Sequence, residues 1–455
     1  MIATVTGGGY ATAIPTARAP ERGVPQPHRL TALPSGVRIV TEAMPSVRSV
    51  SLGFWIGTGS RHESDDEAGL SHLLEHLLFK GSAKYESLQI DQIFDSMGAE
   101  LNAGTGKETT SVFARVIDEH VADAFDVMAD MVFRPTLAEI DSEREVILEE
   151  IAMYEDDPQE KVFDVLGGAV FGTDPLGRAI IGRAEVISGT PAEQIRDFHV
   201  RRYRPANIVI AAAGAIDHDA LVALARDRVP GEAVVAQPVS TPGAAARDGA
   251  PPGRRFEPKD TEQYHVCLGG VGLARDDDRR FALRVLDTIF GGTTSSRLFQ
   301  EVRERRGLAY AVYTFTSGYA DTGQIGLYIG TRADNLAQAL DVVAAELSRM
   351  RDSPASADEL RRAKENLKGR VVLSLESTGA RMNRLGAEVL AETPLLELDE
   401  LVERIDSVTL GDLGELASEL WAPERLSIAG IGPDREQFDE ATSAFAAAGS
   451  VEATA

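Results

Sequence analysis

An internal duplication constrains the fold of this chain more than any other feature of its sequence. Residues 203–214 and 421–432 share one pattern: an aromatic residue, a proline two positions later, and an apolar run that ends in glycine. Between the two copies, residues 230–258 are rich in Pro, Ala and Gly and contain almost no large apolar side chain, as is typical of a linker. The repeat is far longer than the about 20–50 residues of a solenoid unit, so the sequence predicts two homologous domains.

We predict an α+β fold in which two homologous α/β domains, each an antiparallel sheet with helices, are joined by a linker and enclose a cleft. The predicted segments are a leader without an apolar signal region (1–28), a first domain (29–229), the linker (230–258), a second domain (259–440) and a flexible tail (441–455).

Residues 69–81 of the first domain read Gly-Leu-Ser-His-Leu-Leu-Glu-His-Leu-Leu-Phe-Lys-Gly. On a helix, His72, Glu75 and His76 share one face, because they stand at positions i, i+3 and i+4. Leucines surround them, and burying such polar groups is costly unless a partner satisfies them. A zinc ion would bind the two neutral imidazoles, and Glu75 could then serve as a general base. H-x-x-E-H is the inverted counterpart of the H-E-x-x-H zinc protease motif.

A second interpretation of this motif is a core helix whose two histidines hydrogen-bond to backbone, because five-residue patterns occur by chance. The metal interpretation is favoured because the chain has only 8 histidines, two of which fall here at ligand spacing. An acidic segment downstream could also supply a third ligand.

The duplicated copy of this helix lacks the metal-binding residues. Aligning residues 281–292 with the motif places Leu283, Leu286 and Asp287 opposite His72, Glu75 and His76. After the linker the sequence holds a single histidine, His265, so the second domain cannot build its own site with several histidines.

The downstream acidic segment, residues 139–154, has the spacing of a helix. Glu143 and Glu150 share one side of it, two turns apart, whereas Glu149 and Glu150 point about 100° apart. At most one of that adjacent pair can therefore face a given metal. Most of the other acids are expected to face solvent.

The overall charge narrows the possible partners. The formal net charge is -25, which argues against nucleic acid and leaves cationic ligands or solubility as its meaning. A lone cysteine, Cys267, excludes an intrachain disulfide framework and fits a reducing compartment, so we expect a cytoplasmic protein. No apolar run approaches the about 18–20 residues that span a bilayer, and no membrane partner is expected.

These motifs resemble the pitrilysin/insulinase clan of inverted-zincin metallopeptidases, in particular the shorter bacterial branch related to the mitochondrial processing peptidase β-subunit. The resemblance spans about residues 30–435 and includes the duplication. It implies one zinc ion per chain, held by His72, His76 and Glu150, and makes the first domain the catalytic, zinc-binding one. It also implies that Glu75 is the general base and that Glu143 orients a ligand.

The resemblance further implies a substrate site built from both domains. Asn102 and Ala103 would belong to an edge strand that binds the peptide, and the second domain would supply Arg303 and Tyr310. Without the resemblance, a surface ion pair and a core aromatic residue would be the simpler interpretation of Arg303 and Tyr310. The long glycine-rich loop of the processing peptidase's non-catalytic subunit is absent, which is typical of a catalytic chain.

We therefore expect a zinc-dependent endopeptidase that cleaves unfolded or short peptides, with a possible preference for basic residues. Three alternatives stay open: a non-catalytic peptide-binding or scaffold homologue, a partner subunit of a heterodimeric peptidase, and a structural metal site or a hydrolase of another substrate class. We expect a homodimer, although the residues leave a monomer and a mixed dimer open.

Overall fold

The computed structural model describes residues 28–231 and 251–445. The predicted leader before His28, most of the predicted linker and residues 446–455 of the predicted tail lie outside these ranges.

The first sheet has the strand order β1-β2-β6-β3-β5-β4, which leaves β4 at one edge. Neighbouring strands are antiparallel except for the parallel pair β2 and β6. Its strands are β1 (His28–Ala32), β2 (Arg38–Ala43), β3 (Ser49–Ile56), β4 (Glu100–Thr105), β5 (Thr110–Ile117) and β6 (Ile208–Gly214).

The second sheet repeats this topology, and among the described residues it has no counterpart of β1. Its order is β7-β11-β8-β10-β9, and its single parallel pair is again at the matching position, between β7 and β11. Its strands are β7 (Arg254–Pro258), β8 (Gln263–Gly272), β9 (Ala309–Gly318), β10 (Gly323–Arg332) and β11 (Ser427–Gly432). The two sheets with their helices confirm the predicted α+β fold with two similar α/β domains. Each described sheet differs from the predicted antiparallel one by its parallel pair, which makes it mixed. Strand β7 lies within the segment predicted as linker.

The helices of the first half are α1 (Leu70–Leu78), α2 (Ser87–Ser96), α3 (Val121–Phe133), α4 (Ile140–Asp156), α5 (Pro158–Phe171), α6 (Ala184–Gly189), α7 (Ala192–Arg202) and α8 (His218–Arg228). Those of the second half are α9 (Arg280–Phe290), α10 (Leu336–Asp352), α11 (Ala357–Ser374), α12 (Thr378–Leu390), α13 (Leu398–Ser407), α14 (Leu410–Leu420) and α15 (Arg435–Ala441). Within the described ranges, no helix combines the length and apolar composition that crossing a membrane requires.

One helix of each half packs on the sheet of the other half. Helix α5 packs on β8 and β11 of the second sheet, and α12 packs on β3 and β6 of the first. The small side chains of Ala211 and Ala213 on β6 leave room for α12, and Trp55 lies against the backbone of Gly386 on that helix. This exchange buries an apolar face of each sheet and ties the two halves together.

Candidate metal centre

Two helices of the first half bring the three predicted ligands together. Helix α1 carries His72 and His76, α4 carries Glu150, and one ligand atom from each residue lies within 4.8 Å of the other two. The Nε2 atom of His72 is 3.8 Å from one Glu150 carboxylate oxygen, and the Nε2 atom of His76 is 3.7 Å from the other. Both nitrogens therefore point at the same carboxylate.

The start of α1 is fixed by a buried carboxylate. Glu63 accepts hydrogen bonds from the backbone N–H groups of Gly69, at 2.8 Å, and Ser71, at 2.7 Å. Gly69 has φ +101°, and a Cβ atom there would lie 2.9 Å from the Cα of Gly182. A residue with a side chain at position 69 would be strained in φ and would clash with this loop. The histidine-bearing helix thus starts at a fixed place.

A second carboxylate orients His76. The side chain of Glu143 is almost fully buried, and its Oε2 atom lies 3.3 Å from Nδ1 of His76. Its other oxygen pairs with the Lys80 ammonium at 2.9 Å. If Nδ1 of His76 donates to Glu143, the lone pair of Nε2 is free for a metal.

Burial keeps His72 neutral. Its surroundings lower the pKa of His72 to about 4, through desolvation first and the neighbouring His76 second. The neutral imidazole is the form that binds metals. The Nδ1 atom of His72 is buried and has no hydrogen-bond partner among the described residues.

Glu75 lies beside the three ligands and is not one of them. Its Oε2 atom accepts a hydrogen bond of 2.5 Å from the Thr105 hydroxyl at the end of β4. Burial raises the pKa of Glu75, and the Thr105 hydrogen bond opposes that shift. Burial and then the charge of Glu75 also raise the pKa of Tyr203, which is fully buried nearby.

These residues fit a zinc ion. A tetrahedral ion with ligand bonds of about 2.0–2.2 Å separates its ligand atoms by about 3.3–3.6 Å, close to the spacings around Glu150. Two imidazoles and one carboxylate form a donor set that catalytic zinc sites use, with further room for water or substrate.

The predicted peptide-binding residues lie on the edge strand of the first sheet, the strand that ends at Thr105. Asn102 and Ala103 are in β4, which among the described strands pairs with β5 alone, so no described strand covers its other side. A cavity of about 1110 Å³ adjoins the start of β4, and its walls include Glu100, Arg115 and, from the second half, Glu376. The structure therefore places an unpaired strand edge on the sheet that carries Thr105.

Arg303 and Tyr310 contact each other in the second half. The Arg303 guanidinium lies 4.2 Å from the centre of the Tyr310 ring and donates a hydrogen bond of 3.1 Å to the Tyr310 carbonyl. Tyr310 is 78% exposed and stands on β9, the edge strand equivalent to β4. Among the described contacts, no hydrogen bond or ion pair joins this pair to the metal centre.

Helix α9 of the second half is the equivalent of α1 and lacks the metal ligands. Leu283 and Leu286, on α9, lie in the apolar core of that half, and Asp287 follows them. Burial raises the pKa of Asp287.

The sequence alone does not point to Glu63 or Thr105 as residues of the site. Glu63 precedes the motif by nine positions and Thr105 follows Asn102 by three, and neither stands at ligand spacing. Their partners become visible only when the loop before α1 and the end of β4 are placed in space.

Comparison with known families matches both halves of the chain. Residues 38–184 match the family model described as insulinase (peptidase family M16), and residues 191–367 match the one described as peptidase M16 inactive domain. The chain is 43% identical over 415 residues to an uncharacterized zinc protease of Streptomyces coelicolor, covering 90% of each. It is 39% identical to an uncharacterized zinc protease of Bacillus subtilis, covering 88% of this chain and 97% of the relative.

Solved structures share the fold. A protease from Helicobacter pylori superposes with a TM-score of 0.83 at 20% identity, covering 89% of this chain and 99% of the other. A Pseudomonas fluorescens protein described as a peptidase M16 inactive domain gives 0.80 at 23% identity, with 90% and 98% covered. With its duplicated fold, its matches to both M16 models and its relatives named as zinc proteases, this chain belongs to peptidase family M16.

Proposed function

We propose that this protein is a zinc-dependent endopeptidase that cleaves unfolded or short peptides bound as an extended strand. The observation that carries the proposal is the convergence of His72, His76 and Glu150 beside the partly buried carboxylate of Glu75. A zinc ion bound by the three ligands supplies a Lewis acid that makes water nucleophilic near neutral pH.

The protein's own side chains have separate roles in this proposal. Glu75 receives the proton of the attacking water at a carboxylate oxygen and delivers it to the leaving amine. Glu143 holds the ring of His76 through Nδ1. Tyr310 donates a hydrogen bond to the developing oxyanion, and Arg303 holds a substrate carbonyl.

The substrate adds itself to the open edge of β4 next to Asn102 and Ala103. Main-chain hydrogen bonds to a sheet edge require a peptide segment without secondary structure of its own, so folded proteins are excluded. The acids Glu145 and Glu149 are exposed on α4, the helix that carries Glu150, and their charge favours peptides that carry Arg or Lys.

Cleavage of an unstructured peptide with and without a chelator tests this function. We expect hydrolysis by the zinc-loaded protein, loss of hydrolysis after chelation and recovery on adding zinc. One zinc per chain with no cleavage of any peptide in a library would instead favour a structural metal site or a hydrolase of another substrate class.

A cytoplasmic homodimer is part of the proposal. The single cysteine, Cys267, is buried, as suits a fold that needs no oxidising compartment. The molar mass of the purified protein by light scattering separates the monomer from the dimer.

A further inference from the structure

We propose that Thr105 is a positioning residue that orients the carboxylate of Glu75, and that the second half holds Thr105 in place through Glu108. The inference rests on the proposed function, because it assigns Glu75 the role of base. The second half, which lacks the metal ligands, would then have a role besides supplying Arg303 and Tyr310.

A hydrogen bond joins Thr105 to Glu75. The Thr105 hydroxyl lies 2.5 Å from Oε2 of Glu75 and 3.5 Å from the carbonyl oxygen of Ser71. A hydroxyl has one proton to donate, and the shorter, charge-assisted contact with the carboxylate is the stronger of the two. This bond restrains the Glu75 side chain through one oxygen, so the other oxygen is left to take a proton.

Backbone contacts hold the turn that follows Thr105 rigidly. The carbonyl of Gly106 accepts from the Ser60 N–H at 3.2 Å, and the carbonyl of Lys107 accepts from the Arg61 N–H at 2.7 Å. A Cβ atom on Gly59 would lie 2.3 Å from the Gly106 oxygen, so the two segments touch backbone to backbone. The position of Thr105 is therefore set by this contact.

A buried ion network joins this turn to the second half. Arg61 is 0% exposed and pairs with Glu108 at 2.6 Å and with Asp321 at 2.7 Å. Glu108 also pairs with Arg275 and accepts the Ala320 N–H at 3.1 Å. Removing one partner of such a buried network leaves the others without compensation, so the network fixes the turn against the second half.

A kinetic comparison of three variants tests the role of Thr105. We expect Thr105→Val to lower kcat about 10- to 100-fold with KM and zinc content unchanged, and Thr105→Ser to restore most of kcat. Thr110→Val is the matched control, because the buried Thr110 hydroxyl donates to the Thr58 carbonyl and not to Glu75. An unchanged kcat in Thr105→Val, or an equal loss in Thr105→Ser, would overturn the role.

Crystal structures of the same variants give a readout that does not depend on activity. We expect the Glu75 carboxylate to keep its place in Thr105→Ser and to leave it in Thr105→Val; an unmoved carboxylate in Thr105→Val refutes the inference. A wild-type protein that cleaves nothing would refute the proposed function, while these structures would still decide the role of Thr105.

Glu108→Gln tests the contribution of the second half. We expect faster amide hydrogen exchange across residues 100–109 and a lower kcat, again with unchanged zinc content. Unchanged exchange would remove the second half from the inference, and so would faster exchange with an unchanged kcat.

Discussion

At the residue scale, losing a proposed zinc ligand is expected to weaken metal binding, whereas losing a neighbouring residue is not. His72→Ala and Glu150→Ala are expected to lose zinc, because two remaining ligands hold the ion far more weakly than three. Glu149→Ala is the matched control, since Glu149 is adjacent to Glu150 but exposed and outside the cluster. Zinc per chain is measured after dialysis, and a full complement of zinc in Glu150→Ala would contradict the assignment.

In the proposed mechanism, the hydroxyl of Tyr310 donates a hydrogen bond to the oxyanion. Losing one such donor can cost about 10²–10³-fold in kcat, so Tyr310→Phe is expected to lower kcat by that order without loss of zinc. Tyr313→Phe is the control, because Tyr313 lies on the same strand and packs in the aromatic cluster with Tyr328. Steady-state kinetics that show equal kcat for wild type and Tyr310→Phe would remove Tyr310 from the mechanism.

The sequence identifies some of these residues and not others. His72, Glu75 and His76 follow from helical spacing in one short segment, whereas Glu150 also needed the family resemblance to be singled out among several acids. Thr105 and Glu63 act through contacts across loops, to which no periodicity points. Their roles depend on where the end of β4 and the start of α1 meet.

At the scale of elements, the exchanged helix α12 makes the two halves depend on each other. Leu385 is buried against Val40 and Val209 of the first sheet, although it belongs to the second half. Leu385→Ala is expected to lower the free energy of unfolding by about 2–5 kcal/mol, as measured by urea denaturation. Leu373→Ala is the control, because Leu373 is 67% exposed on α11. Equal stability of the two variants would show that α12 adds little to the fold.

The helices themselves were predictable, but the exchange was not. The segments of α1 and α4 have apolar spacing that indicates a helix from sequence alone. Such spacing shows which face of a helix is buried and leaves open which sheet covers it. That α5 covers the second sheet and α12 the first depends on contacts between segments far apart in the chain.

At the scale of the whole molecule, the net charge of -25 should attract cationic peptides. Arg-bearing peptides are expected to have a higher kcat/KM than matched neutral peptides at low salt, and the difference should shrink at physiological salt, where the screening length is about 8 Å. Equal kcat/KM values at low salt would show that the acidity serves solubility alone.

The zinc content and peptide turnover of Glu75→Gln show most directly whether Glu75 is the base of a zinc peptidase. All three proposed ligands remain in this variant and only the proposed base is lost. We therefore expect one zinc per chain, as in the wild type, and no detectable cleavage of a peptide that the wild type cleaves. A Glu75→Gln protein that keeps most of its turnover would contradict the role of Glu75 as the general base.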